Sequence, residues 1–236
     1  MSLRVFAISD THNHSLPRIL EGCTGDLLLI AGDWSYKATI QEIRNFKADL
    51  KAIRTQFKSV VWINGNHEIG MEYNLNASYD LAQETDTIHL HNEKVTLAIP
   101  RTGAEHVLEG VKIWGSPATP YFGGWAYNYQ RGHEIAQIWR DIPEGLDILM
   151  THGPALRVGG ILPWSGEDVG CEELRGRLDN LKAPPRVHVS GHLHCNSSGG
   201  IPTRWTTKRG RFIEHYNVSI CNERYDPANA PTEFYL

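Results

Sequence analysis

The chain has 236 residues, 23 basic and 27 acidic side chains, a net charge of −4, and 41% hydrophobic against 21% charged residues. That composition is ordinary for a globular protein and leaves no basic excess to advertise general nucleic-acid binding, although nucleic acid stays among the open partners. Four scattered cysteines without a CxxC pair argue against a disulfide framework or zinc knuckle, and no apolar run approaches the ~18–20 residues of a membrane span. The chain enters its first apolar run with no charged leader of the secretory kind, so a cytoplasmic location is expected.

In chain order, Val5-Phe6-Ala7-Ile8 leads into Asp10-Thr11-His12, and Leu27 to Ala31 leads into Gly32-Asp33. Ile40, Ile43, Phe46, Leu50, Ile53 and Phe57 then recur at steps of three and four, which predicts an amphipathic helix. Val60-Val61-Trp62-Ile63 precedes Gly65-Asn66-His67-Glu68. From Thr87 to Ile113, short segments such as Ile88-His89-Leu90 and Val95-Thr96-Leu97 suggest antiparallel strands. Ile135, Ile138, Trp139 and Ile142 predict a helix ended by Pro143, and Leu174, Leu178 and Leu181 another ended by Pro184-Pro185. Between and after them, Ile148-Leu149-Met150 precedes Thr151-His152-Gly153, and Val187-His188-Val189 precedes Gly191-His192-Leu193-His194. Thr203 to Arg211 reads as a long loop or hairpin, and Tyr216 to Ile220 as the last core strand. Short apolar runs stopped by Gly, Asn or Pro are the pattern of buried strands in an α/β protein. Candidate ligands from Asp10 to His194 tie the chain into a single domain, 1–236.

Asp10 and His12 are one residue apart, as are His192 and His194, so each pair projects to one side of an extended strand end. With Asp33, Asn66 and His152 they make an oxygen and nitrogen donor set without thiolate. Such a set suits two divalent ions, Mn²⁺ above all, with Fe, Zn²⁺, Ni²⁺ or Co²⁺ as alternatives. Two such ions against the carboxylates of Asp10 and Asp33 leave about +2, matched to a hydroxide and a phosphate anion. A hydroxide bridging metals roughly 3.5–4 Å apart can attack phosphorus in line. His67, beside Asn66, faces the same space and is placed to protonate the departing alkoxide.

These blocks, in this order, resemble the calcineurin-like metallophosphoesterase superfamily across almost the whole chain. The segments Trp114-Gly115-Ser116-Pro117, Ile142-Pro143-Glu144-Gly145 and Asp147 to Pro154 are similar to the metallophosphoesterase-domain-containing branch. That branch is related to class III cyclic-nucleotide phosphodiesterases. The resemblance implies an α/β fold of two packed mixed β-sheets flanked by helices, a four-layer αββα sandwich of the metallo-dependent phosphatase kind. It further implies that Asp10, His12, Asp33 and His194 hold one metal and that Asp33, Asn66, His152 and His192 hold the other. Some members of the branch lack the first histidine of the Gly-His-x-His block; this chain retains His192.

The function expected is hydrolysis of a small phosphodiester, with nucleotides among the candidates. Phosphomonoesterase or protein phosphatase, nuclease, and a non-enzymatic metal-binding scaffold are the alternatives, because one dinuclear centre accepts several esters. His14, Trp34, Asn128 and Arg131 are candidate substrate contacts, each weighed against a structural role. For Trp34 and Tyr36 the functional reading is stacking on a base and the structural one a core edge or hydrophobic lid. Arg204, Lys208, Arg209 and Arg211 form a basic cluster that reads as a solvated hairpin or, less simply, a polynucleotide groove. His188 reads as a core histidine, and His89, His91, His106, His133 and His215 as ordinary ones.

Overall fold

A computed structural model describes residues 2–98 and 110–236. The described elements are β1 (Arg4–Ile8), α1 (Leu16–Ile19), β2 (Gly25–Ala31), α2 (Ile40–Ile53), β3 (Phe57–Ile63), α3 (Ile69–Glu72), α4 (Leu75–Glu84) and β4 (Ile88–His89). There follow β5 (Glu93–Leu97), β6 (Val111–Ser116), β7 (Thr119–Pro120), β8 (Asn128–Tyr129), α5 (His133–Arg140), β9 (Ile148–Thr151), α6 (Glu172–Asn180) and β10 (Val187–Ser190). The chain ends with β11 (Thr203–Thr206), β12 (Phe212–Asn217) and β13 (Thr232–Tyr235). His106 lies outside the described residues.

Two large sheets carry the fold, in the orders β13-β1-β2-β3-β4 and β11-β12-β10-β9-β6-β5. The strands β1 to β4 are parallel, as are β12, β10, β9 and β6, while β13, β11 and β5 are antiparallel at the edges. Alternation sorts the side chains into layers. Val5, Ala7, Leu27, Leu29, Val61 and Ile63 meet Ile113, Ile148, Met150, Val187 and Val189 between the sheets. The opposite face of the first sheet packs Phe6, Leu28, Ile30 and Trp62 on Phe46, Leu50 and Leu81 of the helices, and the second sheet packs Trp114 and Leu149 on Ile135, Trp139, Leu174 and Leu178. The result is the expected four-layer αββα sandwich, and burial on both faces explains the unbroken apolar runs.

Three sequence expectations need correction. Phe57 does not close the helix; a short 3₁₀ turn at Arg54–Gln56 intervenes and Phe57 opens β3 opposite Gly25. Ile88-His89 pairs parallel with β3, because α3 and α4 carry the chain back across the sheet before it. Val95 to Leu97, by contrast, is antiparallel as expected. The last strand is β13, which returns to the edge of β1, and β12 ends at Asn217. Thr203 to Asn217 does form a hairpin, in which Arg204 pairs with Glu214 and Arg209 donates to the Asn180 carbonyl. Among the described residues no helix is long and apolar enough to cross a membrane.

Leu29 is fully buried between the sheets. Leu29→Ala should lower unfolding stability by about 2–5 kcal/mol, read from urea denaturation, since two β-sheets cannot close fully around the lost atoms.

Candidate metal centre

All seven predicted ligands follow the C-terminal ends of parallel strands: Asp10 and His12 after β1, Asp33 after β2, Asn66 after β3, His152 after β9, His192 and His194 after β10. A parallel bridge between Ser9 and Ser219 brings the two sheets together at this edge. The ligand atoms of Asp10, His12 and His194 lie within 4.8 Å of one another, as do those of Asp33, His152 and His192. Asn66 joins the second group through its Oδ1, 2.9 Å from His152 Nε2. His12, Asp33 and His67 form a third such group between them.

Hydrogen bonding fixes the tautomers and thereby tests whether cations fit. His12 Nδ1 faces the Ser35 carbonyl at 3.2 Å and His194 Nδ1 faces the Asn222 carbonyl at 3.0 Å. A carbonyl only accepts, so each Nδ1 carries a proton, and Nε2 of neutral His12 offers a lone pair. Burial opposes charge on His194, but the Asp10 carboxylate outweighs it and raises that imidazole, so a proton competes with a cation for its Nε2. Those two Nε2 atoms stand 3.1 Å apart, with Asp10 Oδ1 3.3 Å from that of His194. Two imidazole nitrogens and a carboxylate oxygen thus converge on one point, a geometry that either one shared proton or a cation satisfies. On the other side His152 Nδ1 donates to the Ala31 carbonyl at 2.9 Å, and its Nε2 turns toward Asn66 and Asp33 Oδ2, the latter at 3.1 Å. Each imidazole is thus oriented by a carbonyl behind it, the outer-shell arrangement of metal-binding histidines.

The electrostatics agree. Burial pushes His12 and His192 down to about 4, so both are neutral donors at pH 7. Burial opposes ionisation of Asp10, but the hydrogen bond and charge of His194 prevail and hold it well below the usual carboxylate range. Burial opposes Asp33 as well, and His152 draws it down to about 2. For His152, burial disfavours charge while the Asp33 carboxylate outweighs it, raising the imidazole to about 9. A proton therefore competes with a cation for His152 Nε2.

The backbone around these side chains is strained. Asp10, His12, Asp33 and His192 sit at φ of 51°, 41°, 52° and 69°, in the left-handed region. Each such non-glycine residue costs on the order of 1–3 kcal/mol and persists only where its surroundings over-determine it. Asp10 is held by Ser219 Oγ at 2.8 Å and the His192 amide at 2.9 Å. A Cβ on Gly191 would strike Ser9 and Asp10 Oδ2, so only glycine lets β10 approach β1 here. Asp33 is held by Glu68, a fully buried carboxylate that accepts from Asp33 N at 2.9 Å, Gly65 N at 2.6 Å, and Ser35 N and Oγ at 3.0 and 2.8 Å. Burial and the nearby Asp33 charge raise the Glu68 carboxyl, and the donations from Gly65 and Ser35 oppose that shift.

His67 lies against this centre without joining either main group. Its amide donates to Asp33 Oδ1 at 2.8 Å and its Nδ1 to the Tyr36 carbonyl at 3.0 Å. A cavity of about 530 Å³ opens beside it, lined in part by Asp33, Asn66, His192 and His194. Arg131 reaches the cavity wall, with its guanidinium donating to the Val169 and Gly170 carbonyls at 2.8 and 2.9 Å.

Three proposed contacts do not themselves line that cavity. Trp34 is buried, with its indole stacked on Phe46 at 4.2 Å and its Nε1 donating to Asn64, so its faces are closed to a base. Asn128 engages its amide with Thr119 Oγ1, the Ala126 carbonyl and the Phe122 amide, bracing a loop. His14 points Nε2 at the Tyr225 carbonyl, 2.9 Å away. Tyr36, by contrast, stacks on His12 at 5.4 Å and is 40% exposed. His188 is a core residue, bonded through Nε2 to Thr151 Oγ1 at 2.7 Å.

Sequence reading gave Glu68 no separate role and missed Tyr225. The Tyr225 ring stands 4.6 Å from His12 and 5.2 Å from His194, on a backbone at φ 62°. Its loop follows β12 and shows no periodicity; the Asn222 side chain that accepts from the Arg224 and Asp226 amides is the one local signal.

Comparison with known proteins agrees with this geometry. The family model for calcineurin-like phosphoesterases matches residues 3–196. The human metallophosphoesterase domain-containing protein 1 is 31% identical over 97% of this chain and 69% of its own length. The UPF0046 protein T07D4.2 of Caenorhabditis elegans is 31% identical over 89% of this chain and 54% of its own. Among solved structures, TT1561 of Thermus thermophilus superposes with a TM-score of 0.59 over 100% of this chain and 99% of that one, at 11% identity. The chain belongs to the calcineurin-like metallophosphoesterase family, and its clustered histidines and aspartates support a metal-dependent phosphoesterase.

Replacing Glu68 by Gln puts an amide N–H against backbone donors. Glu68→Gln should cost about 1–3 kcal/mol of stability and weaken Mn²⁺ binding by about tenfold or more, measured by urea denaturation and metal titration.

Proposed function

We propose that the chain is a phosphodiesterase dependent on two divalent cations, Mn²⁺ foremost with Fe, Zn²⁺, Ni²⁺ or Co²⁺ able to substitute, acting on a small diester such as a nucleotide. Asp10, His12, Asp33 and His194 would hold one ion, and Asp33, Asn66, His152 and His192 the other, with residues 1–236 working as one domain. The convergence of His12 Nε2, His194 Nε2 and Asp10 Oδ1 on one point is the observation that carries the metal dependence. When bound, such ions supply a water that ionises near neutral pH and Lewis acidity at phosphorus.

The chain's own groups favour the diester. Beyond the ligands, the cavity wall adds the cation Arg131 and the carboxylates Glu167 and Glu223, and Arg131 is engaged by two carbonyls. That wall opposes the second negative charge of a monoester and tolerates a monoanionic diester. His67 keeps Nδ1–H on the Tyr36 carbonyl, which leaves Nε2 to pass a proton to the leaving oxygen. Four free thiols suit the cytoplasmic setting that belongs to this reading.

Asp33→Ala should lose both bound metal and turnover, because Asp33 belongs to both ligand sets. His67→Ala should keep its metal yet lower kcat on diesters with poor leaving groups by about 10²–10⁴-fold. Unchanged diester turnover in metal-loaded His67→Ala would contradict the acid role.

A further inference from the structure

We infer that Trp125 is the positioning residue that aims His67 at the ester's leaving oxygen, an inference that rests on the acid role of His67 just proposed. The bond from His67 Nδ1 to Tyr36 O, 3.0 Å, fixes one atom of the imidazole. A single hydrogen bond is soft, so the ring keeps some tilt about its Cβ–Cγ axis, where the rotamer well is broad. The Trp125 indole removes that freedom. It stacks on the imidazole with centroids 4.3 Å apart and planes 28° from parallel. His12 stands edge-on to His67 at 4.7 Å, itself held through Nδ1 by Ser35. Held between indole and imidazole edge, His67 has one orientation, and that orientation faces the cavity both His67 and Trp125 line.

The indole is itself anchored to the metal centre. Gly123 and Gly124, at φ 61° and 71°, turn the chain before Trp125. Immediately after it the Ala126 amide donates to the carbonyl of Asn66 at 3.1 Å, and the Tyr127 amide donates to Glu72 Oε1 at 2.8 Å. Asn128 then clamps the loop through the Ala126 carbonyl and Thr119. The peptide that steadies a metal ligand therefore also carries the plane that orients the acid. Trp125 stays half-buried at the cavity rather than sunk in the core, so its packing face is given to His67.

The test compares kcat and KM of Mn²⁺-loaded wild type, Trp125→Ala, Trp125→Phe, His67→Ala and the Trp125→Ala/His67→Ala double variant on methyl p-nitrophenyl phosphate and methyl phenyl phosphate. These diesters share a retained group and differ in leaving group. Trp125→Ala should lower kcat on the phenyl ester by about ten- to a hundredfold, with KM nearly constant. On the nitrophenyl ester, which needs little acid help, the loss should stay within about threefold. Trp125→Phe should recover most of the rate, and in the His67→Ala background Trp125→Ala should cost nothing further. Equal losses on both esters, or losses that multiply in the double variant, would overturn the inference.

Wild type inert toward both esters would instead defeat the phosphodiesterase reading, and positioning is then read without turnover. In the metal-free protein, Trp125→Ala should move the His67 Hε1 resonance, assigned by its loss in His67→Ala, more than that of any other histidine. A His67 resonance that stays in place would overturn the inference on its own.

Discussion

Two imidazoles whose Nε2 atoms face each other beside a buried carboxylate set the terms for the rest of this structure. His12 and His194 each commit Nδ1–H to a backbone carbonyl, which leaves their Nε2 atoms opposed at 3.1 Å beside a buried carboxylate. Such a contact is unfavourable unless a proton or a metal cation stands between the nitrogens. The cost of holding it is visible in the backbone, where four of the seven candidate ligands adopt left-handed conformations that their side chains disfavour. Metal binding would offset that free energy, so the site is preorganised while local stability is reduced.

The two-sheet architecture makes this possible. Ligands from β1, β2 and β3 meet ligands from β9 and β10 across the apolar layer formed by Leu29, Ile63, Met150 and Val189, and that close-packed layer fixes the spacing of the strand ends. A second tier of polar groups then sets each ligand's direction: Glu68 under Asp33, Ser219 under Asp10, Ala31 behind His152. The chemistry depends on the core beneath as much as on the ligands themselves.

Much of this was legible in the sequence because strands buried on both faces leave uninterrupted apolar runs, and each run ends in a block of Asp, His or Asn. Periodicity revealed the helices for the same reason. What sequence could not convey was direction at strand ends. Trp34 adjoins Asp33, yet the chain turns its indole into the helix layer against Phe46 while Tyr36, two residues on, reaches His12. Asn128 looked free to bind substrate because the turn that folds it back onto Thr119 and Phe122 has no periodicity to read. Tyr225 was invisible because an irregular loop has no period to read. The parallel pairing of Ile88-His89 depends on how α3 and α4 cross the sheet, which a two-residue strand does not encode.

The account stands most directly on one measurement: kcat/KM for bis-p-nitrophenyl phosphate and for p-nitrophenyl phosphate after chelator-stripped protein is reloaded with Mn²⁺. A metal-dependent rate that favours the diester is the result expected from the converging Asp and His ligand atoms and the carboxylate-bearing cavity wall. A preference for the monoester would contradict the diester assignment, and no turnover with any of Mn²⁺, Ni²⁺ or Zn²⁺ would contradict the claim that this centre is catalytic.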